Sequence, residues 1–304
     1  MGKLLILLSR ISDVLIRILL KFKAYFDLTK APAIVLIVLV TWMGGLLSQP
    51  KNLSGDVGLK LGVALIFIAI SAAGSLALNQ WMEWRTDALM ERTKVRPIPS
   101  GRLSANEALV FGLLLFLIPL PILTYWASLQ AALATFFCGA IYLLGYTILK
   151  SKSSWSTWVG AIPGALLPWM GWSIFDRDYT ILFWDVVLIL YFWQIPHTLI
   201  ISLKNFQDYQ NCGMKLFPMF AGEMNTRLQV FFQSMLLNIL VLVPILIGES
   251  GPKYRIICLI VVPLTSITSF LYWKKPTPFI DKLAFRSGLS FIPLVIGALV
   301  LERL

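Results

Sequence analysis

Charged residues are scarce in this sequence: Asp, Glu, Lys and Arg together make up only 13% of its 304 residues. A soluble protein is about a quarter charged. Hydrophobic residues account for 58% of the chain, and apolar runs long enough to cross a bilayer, roughly 17 to 25 residues each, recur along it. The shortage of charge therefore excludes a soluble globular domain and predicts an all-α membrane protein, because a helix satisfies its own backbone in lipid.

Cysteine is also rare, and no signal-peptide cleavage motif is present. The three cysteines are scattered and form no Cys-x-x-Cys pair, so we interpret them as small apolar residues rather than a redox or metal site. Residues 1–32 have no small-residue cleavage site, and their basic residues alternate with leucines. This pattern is typical of an amphipathic helix at the membrane surface. We expect an amphipathic segment, 1–32, before a membrane domain, 33–304.

The apolar segments predict nine membrane-spanning helices in a bundle around a central intramembrane cavity. Their expected bounds are 33–49, 58–80, 105–125, 128–148, 157–174, 180–201, 227–247, 255–273 and 284–302. If the amino terminus is cytoplasmic, twenty of the 26 Lys and Arg residues fall on the inner side. That bias satisfies the positive-inside rule, so we expect the amino terminus inside and the carboxyl terminus outside.

The first strongly charged segment follows the second predicted helix. Asn79, Glu83 and Asp87 recur every four residues, so they share one face if the helix continues. Oxygen-bearing side chains at a helix end suit Mg²⁺, which prefers carboxylates and phosphate oxygens. Bases able to grip phosphate or carboxylate follow, namely Arg92, Lys94, Arg96 and Arg102. This order predicts a Mg²⁺-bridged diphosphate site; the alternative is a solvated loop with ordinary ion pairs.

The second polar segment, residues 192–222, contains the only histidine. His197 follows Pro196 within an apolar helix, where a proline frees a backbone carbonyl and permits a kink beside a cavity. A neutral imidazole there can ligate iron, donate a hydrogen bond or shuttle a proton; the alternative is a hydrogen bond to a neighbouring helix. Asp208 is available to complement the first acidic group, or else pairs with Lys204 four residues earlier.

Between these segments, residues 145–172 are rich in Gly, Pro and Trp. Gly160, Gly164 and Gly171 allow helices to approach closely. Broken helices lined with aromatic residues also form cavities for flat or isoprenoid ligands. Lys150 and Lys152 are expected at the cytoplasmic mouth of such a cavity.

Three stretches together resemble the heme O synthases, or protoheme IX farnesyltransferases, a branch of the UbiA-type intramembrane prenyltransferases. The first, ALNQWMEWRTDALMERTKVRPIPSGRLS, is similar to the signature in which N-x-x-x-D-x-x-x-D runs into M-x-R-T-x-x-R-P. Two further signatures resemble YTILKSKSSWSTWVGAIPGALLPWMGW and FWQIPHTLIISLKNFQDYQNCGMKLFPMFAG, in the same order. The likeness extends over residues 30 to 300.

The resemblance implies a reaction at the inner mouth of the cavity. Farnesyl diphosphate binds there with Mg²⁺, its diphosphate leaves, and a vinyl group of heme B attacks the allylic cation before water adds to give heme O. The implied metal ligands and catalytic residues are Asn79, Glu83, Asp87 and Asp208. The implied diphosphate or propionate contacts are Arg92, Lys94, Arg96, Lys150, Lys152, Lys204 and Tyr209, and the implied heme contact is His197.

The same resemblance implies a cellular location and a set of partners. It places the chain in the bacterial cytoplasmic membrane, in heme biosynthesis for respiratory oxidases. Its implied partners are the bilayer, farnesyl diphosphate, heme B, and heme A synthase or terminal-oxidase assembly proteins, with no nucleic acid.

The chain departs from the family pattern at several positions. Glu83 stands where the family usually has Asp, and Arg85 stands where it has an acid. Glu83 is a Mg²⁺ ligand of longer reach, and the spacing of Arg85 places it on another face of the helix. Basic residues are usual near Asn205 and Gln207, and Asn is usual at Ser156. The missing bases weaken the acceptor-pocket assignment more than the diphosphate-site assignment.

Two other functions are compatible with the composition. One is a related intramembrane prenyltransferase acting on a quinone precursor or another aromatic acceptor. The other is a non-enzymatic permease or assembly factor for an anionic amphiphile. The order of acids followed by arginines favours an enzyme.

Overall fold

The computed structural model describes residues 2–49 and 55–303, with side chains described at 15–49 and 57–303. All regular elements in these ranges are helical. The helices in chain order are α1 (Gly2–Thr29), α2 (Ala31–Leu47), α3 (Gly55–Asp87), α4 (Ala105–Leu117), α5 (Pro119–Trp126), α6 (Leu129–Ala140), α7 (Ser156–Ala165), α8 (Leu167–Trp172), α9 (Ile181–Lys204), α10 (Phe206–Asn211), α11 (Phe217–Leu240), α12 (Val243–Leu246), α13 (Pro252–Lys274) and α14 (Pro278–Leu301). A π-helical turn, Ile141–Thr147, extends α6, and a 3-10 turn, Ser173–Phe175, follows α8.

The chain is a multi-pass membrane protein. Seven stretches of the described residues are long and apolar enough to cross a membrane, or eight if the bent pair α1–α2 forms one span. These seven are Val57–Asp87, Ala105–Trp126, Leu129–Thr147, Ile181–Lys204, Phe217–Leu246, Pro252–Lys274 and Pro278–Leu301. The predicted span 157–174 forms two short helices, α7 and α8, of 10 and 6 residues, and α2 has only 17. The predicted count of nine is therefore not confirmed.

The amino-terminal helix α1 packs over the charged loop that follows α3. Ala24 and Leu28 are fully buried against Ile98 and Leu103 of that loop. The opposite side of α1 exposes apolar side chains, among them Leu19 and Phe22. At Lys30, whose φ of 53° is left-handed, the chain bends by 44° into α2.

Close helix approaches depend on the glycines of the broken segment α7–α8, as predicted. A Cβ on Gly171 would overlap the carbonyl oxygen of Thr41 in α2. A Cβ on Gly164 would lie 3.0 Å from Oε1 of Gln194 in α9. Small residues let backbones approach closely in membranes, where dispersion and hydrogen bonds replace the hydrophobic effect between helices. The two short helices therefore pack closely between α2 and α9.

Contacts between loops show which loops lie at the same end of the helical bundle. At one end, Arg92 Nη2 donates to the hydroxyl of Tyr209 at 3.2 Å, which joins the loop after α3 to α10. At the other end, Ser128 Oγ donates to the carbonyl oxygen of Ser173 at 2.5 Å, which joins the loop before α6 to the segment after α8. The two polar segments singled out in the sequence therefore meet at the same end of the bundle.

Candidate active site

A cavity of about 370 Å³ lies between α2, α3, α6, α7 and α9. Small-molecule sites usually measure roughly 300–1,000 Å³. Its wall is mainly apolar, with Ile68 and Phe116 among the lining residues, and Lys150 and Tyr209 line it where the two polar segments meet. The cavity therefore joins an apolar interior to a charged mouth.

The predicted face of α3 is formed. Asn79, Glu83 and Asp87 are all buried, and Asp87 is only 1% exposed. Arg85, between them, is exposed and lies over the ring of Trp84, 5.3 Å from its centroid. The expectation that Arg85 points away from the acids is confirmed, because a residue two positions along a helix falls on a different side.

Every member of this face contacts a basic side chain. The contacts are Lys30 Nζ to Asn79 Oδ1 at 2.8 Å, Lys150 Nζ to Glu83 Oε1 at 3.3 Å, and Arg96 Nη1 to Asp87 Oδ2 at 2.5 Å. Acid and base thus neutralise one another beside the cavity, which Lys150 lines and the three α3 residues do not. A ligand that combines a cation with a phosphate anion satisfies both sets at once, because the cation takes the carboxylates and the anion takes the bases.

The oxygen donors fit Mg²⁺. Asp87 Oδ1 is buried and has no hydrogen-bond partner, so this carboxylate retains a free ligand atom. Among the residues that the structure describes, no group of three or more His, Cys, Asp or Glu side chains is close enough to hold an ion alone. A metal here depends on few protein ligands and on water and substrate oxygens, which is the coordination that Mg²⁺ prefers.

Two lysines at the mouth have opposite pKa shifts. Burial, reinforced by the positive charge of Arg96, lowers the pKa of Lys30 to about 7. Burial also disfavours the charged form of Lys150, but Tyr146 and Glu83 outweigh it and raise the pKa of Lys150 above its ordinary value. Lys150 is therefore a permanent cation, whereas the pKa of Lys30 lies near neutral pH.

A π-helical turn at the end of α6 contributes residues that the sequence analysis missed. Thr147 Oγ1 accepts a hydrogen bond from Asn79 Nδ2 at 3.0 Å and donates to the carbonyl oxygen of Tyr142. Tyr142 and Tyr146 of this turn line the cavity together with Lys150, which was predicted. Single π turns are frequently found at functional sites. The spacing of four between these three residues was the available signal, whereas nothing in the sequence pointed to Lys30.

The residues predicted from the second polar segment lie in different surroundings. Tyr209 is buried, and its ring lies 5.6 Å from Lys150 Nζ. Asp208 is half-buried and makes no side-chain hydrogen bond or ion pair with the residues described, so the alternative pair with Lys204 is not formed. Lys204 is exposed over the ring of Phe285, away from the cavity.

Two further predicted basic residues also lie outside the cavity. Lys94 is exposed and pairs with Glu91 at 2.5 Å on the surface. Lys152 lines a separate groove beside Lys215 and Phe220. Neither is placed to reach a ligand in the cavity, so their assigned role remains a prediction.

His197 lines the cavity wall and is held by aromatic stacking. Its ring lies between Trp193 and Phe285, with centroids 4.9 and 5.5 Å away. No hydrogen bond links it to another of the described residues, so the alternative of a histidine tied to a neighbouring helix is not formed. Its nitrogens remain available to a ligand.

Comparison with known proteins places this geometry in a family. The sequence profile described as "UbiA prenyltransferase family" matches residues 37–292. The protoheme IX farnesyltransferase of Bartonella henselae is 31% identical over 91% of this chain and 89% of its own. That of Opitutus terrae is 32% identical over 93% of this chain and 96% of its own.

Solved structures share the fold. One, described as a digeranylgeranylglyceryl phosphate synthase, superimposes with a TM-score of 0.77 at 17% identity, over 93% of this chain and 98% of its own. A UbiA homologue from Archaeoglobus fulgidus, bound to DMAPP and Mg²⁺, gives a TM-score of 0.67 at 17% identity, over 89% of this chain and 99% of its own. The family profile and these relatives identify the chain as an enzyme: it is a member of the UbiA prenyltransferase family.

Proposed function

We propose that this enzyme transfers the farnesyl group of farnesyl diphosphate to a vinyl group of heme B, with Mg²⁺, to form heme O. The observation that carries the proposal is the set of matched acids and bases at the mouth of an apolar cavity. The sequence similarity to proteins named protoheme IX farnesyltransferase, at about 30% identity over most of the chain, supports this choice of substrates.

The basic residues act on the leaving group. As the C1–O bond of farnesyl diphosphate breaks, the electron pair leaves on the diphosphate, and negative charge grows on its oxygens. Arg96 and Lys150 are close enough to the acids to hold those oxygens while the acids hold the metal, and Arg92 reaches the same mouth through Tyr209. Asn79, Glu83 and Asp87, with Asp208, would hold Mg²⁺, which would supply positive charge next to the leaving diphosphate.

The apolar cavity protects the cation that remains. The farnesyl chain lies along the apolar wall, where water is excluded and cannot quench the allylic cation early. The π electrons of the heme vinyl group then bond to C1 of the farnesyl group. The new cation beside the heme ring takes up a water molecule and loses a proton, which leaves a hydroxyl group. In this scheme His197 contacts or orients the heme.

A related acceptor is the alternative. A quinone precursor would use the same diphosphate site, and the bases that the family usually carries near Asn205 and Gln207 are missing here. The non-enzymatic permease is excluded, because the chain belongs to an enzyme family.

The decisive experiment is a product assay. Membranes containing the protein are incubated with farnesyl diphosphate, Mg²⁺ and either heme B or 4-hydroxybenzoate, and the products are identified by mass. We expect hydroxyethylfarnesyl heme from the first mixture and no prenylated phenol from the second. Turnover of the phenol without conversion of heme B would contradict the proposal.

The cellular setting is part of the same proposal. We place the enzyme in the bacterial cytoplasmic membrane with its charged mouth toward the cytoplasm, as the distribution of Lys and Arg predicts. Heme A synthase and terminal-oxidase assembly proteins are the proposed partners, since they would receive the product.

A further inference from the structure

The first turn of α7 carries two polar side chains that have no partner. Ser156 is fully buried and Thr157 is 2% exposed, and both line the cavity. Neither Ser156 Oγ nor Thr157 Oγ1 forms a hydrogen bond with the residues described. An unsatisfied buried hydroxyl is destabilising, so two neighbouring ones in one cavity wall require an explanation.

The start of α7 adds one further unmet donor, since the N–H groups of Ser156, Trp158 and Val159 donate to the carbonyl oxygens of Ser153 and Trp155. Its N-cap residue, Trp155, provides no side-chain acceptor, and its first turn contains no acidic residue. The N–H of Thr157 has no backbone acceptor in the described part of the chain. The positive end of the helix dipole therefore faces the cavity without a counter-charge, and this end of a helix attracts anions.

We propose that the first turn of α7 is a second anion subsite of the cavity, which binds a phosphate or carboxylate oxygen of a substrate. The hydroxyls of Ser156 and Thr157 donate to that oxygen, and the free N–H of Thr157 supplements them. The site differs from the acid–base mouth because its donors are neutral and belong to α7. It explains why the two hydroxyls stay unpaired: the ligand supplies the acceptor.

Two substrate groups have this chemistry, the diphosphate of the prenyl donor and a propionate of the heme acceptor. That choice of ligands rests on the proposed function. Lys150 lines the same cavity, so either anion would also meet a permanent cation.

The test uses the double variant Ser156→Ala and Thr157→Val in the full-length protein, in lipid nanodiscs. These changes remove both hydroxyls and almost no volume. The matched control is Ser234→Ala with Thr226→Val in α11. Those two buried hydroxyls donate to Val230 O at 2.8 Å and Gly222 O at 2.7 Å, and neither residue lines this cavity. The measurements are the melting temperature and the Kd of inorganic diphosphate with Mg²⁺, of heme B and of heme B dimethyl ester, none of which requires turnover.

We expect at least one Kd to rise about tenfold or more in the α7 variant, since hydrogen bonds to charged groups are lost. Its melting temperature should stay the same or rise, because the removed hydroxyls were unpaired in the free protein. A weaker Kd for diphosphate identifies the phosphate as the ligand. A weaker Kd for heme B, with no change for its dimethyl ester, identifies a propionate. The control should leave all three Kd values unchanged.

Unchanged Kd values for all three ligands would overturn the proposal. A fall in melting temperature that accompanies equal weakening of every ligand would also overturn it, since the hydroxyls would then be structural. If heme B is not farnesylated by the wild-type protein, the proposed function fails, and the diphosphate arm still decides the subsite.

Discussion

Asp87 uses its two carboxylate oxygens differently. Oδ2 accepts a hydrogen bond from Arg96, and Oδ1 is buried without a partner. A buried carboxylate with one free oxygen is costly unless a cation or donor is supplied. The proposed metal role explains why one oxygen of this side chain is left free next to a single arginine contact.

Asp87→Asn should lower kcat/KM for farnesyl diphosphate by about 100-fold or more, because an amide removes the negative charge that balances the metal and leaving-group site. Steady-state kinetics at saturating heme B measures this loss. The control is Glu91→Gln, which removes the same charge from a side chain that is 80% exposed and paired with Lys94 on the surface. Comparable losses in both variants would contradict a specific role for Asp87.

Lys150 lines the cavity and Lys152 lines a separate groove, although they are only two positions apart in the sequence. Lys150→Met should raise the KM for farnesyl diphosphate about tenfold or more, because it removes a charge-assisted contact to the diphosphate. Lys152→Met should change the KM less than about threefold, because an exposed charge is screened. Initial rates over a range of farnesyl diphosphate concentrations measure both values. Equal effects would mean that Lys152 reaches the ligand.

Among the elements, the broken segment α7–α8 decides the shape of the cavity. It contains Pro163 and Pro168. Its backbone at Gly171 packs directly against the carbonyl oxygen of Thr41 in α2.

Gly171→Ala should lower the free energy of unfolding by about 1–3 kcal/mol or more, because its methyl group overlaps the carbonyl oxygen of Thr41. Thermal unfolding in detergent measures the loss. Gly62→Ala is the control, since a Cβ at this position in α3 meets no atom within 4 Å. The control should be neutral or stabilise by up to about 1 kcal/mol, because alanine favours helix. An unchanged melting temperature for Gly171→Ala would show that α2 and α8 separate easily.

At the scale of the whole molecule, the two polar segments meet at one end of the bundle. The charged loop after α3, the end of α6 and helix α10 meet at one end, and α1 covers it through an ion pair between Arg102 and Asp27 at 2.6 Å. The proposed orientation directs this end toward the cytoplasm, where the soluble diphosphate product is released.

This orientation is tested with single cysteines in a background carrying Cys212→Ser. Ser100→Cys, in the exposed loop after α3, should react with a membrane-impermeant maleimide only in inverted vesicles, because it lies at the charged end. Asp178→Cys, exposed after α8, should react only in right-side-out vesicles. The reverse pattern would contradict the positive-inside assignment.

The composition and the spacing of charges were sufficient for the fold class and for the face formed by Asn79, Glu83 and Asp87. A helical period of 3.6 residues places these three together whatever surrounds them, and it turns Arg85 away. The predicted number of spans is not confirmed, because the break within 157–174 depends on how α7 and α8 pack against α2 and α9. Lys30 was not foreseen, since its approach to Asn79 joins residues 49 positions apart.

By itself, the sequence determined that the chain crosses a membrane many times and that acids and bases are concentrated where two polar segments begin. It did so because hydrophobicity and helical periodicity are local properties. Only the tertiary structure decided which bases reach the acids, which lysines remain on the surface, and that Ser156 and Thr157 line the cavity. Those outcomes depend on contacts between distant helices, and a side chain's partner there is set by packing rather than by its neighbours in the chain.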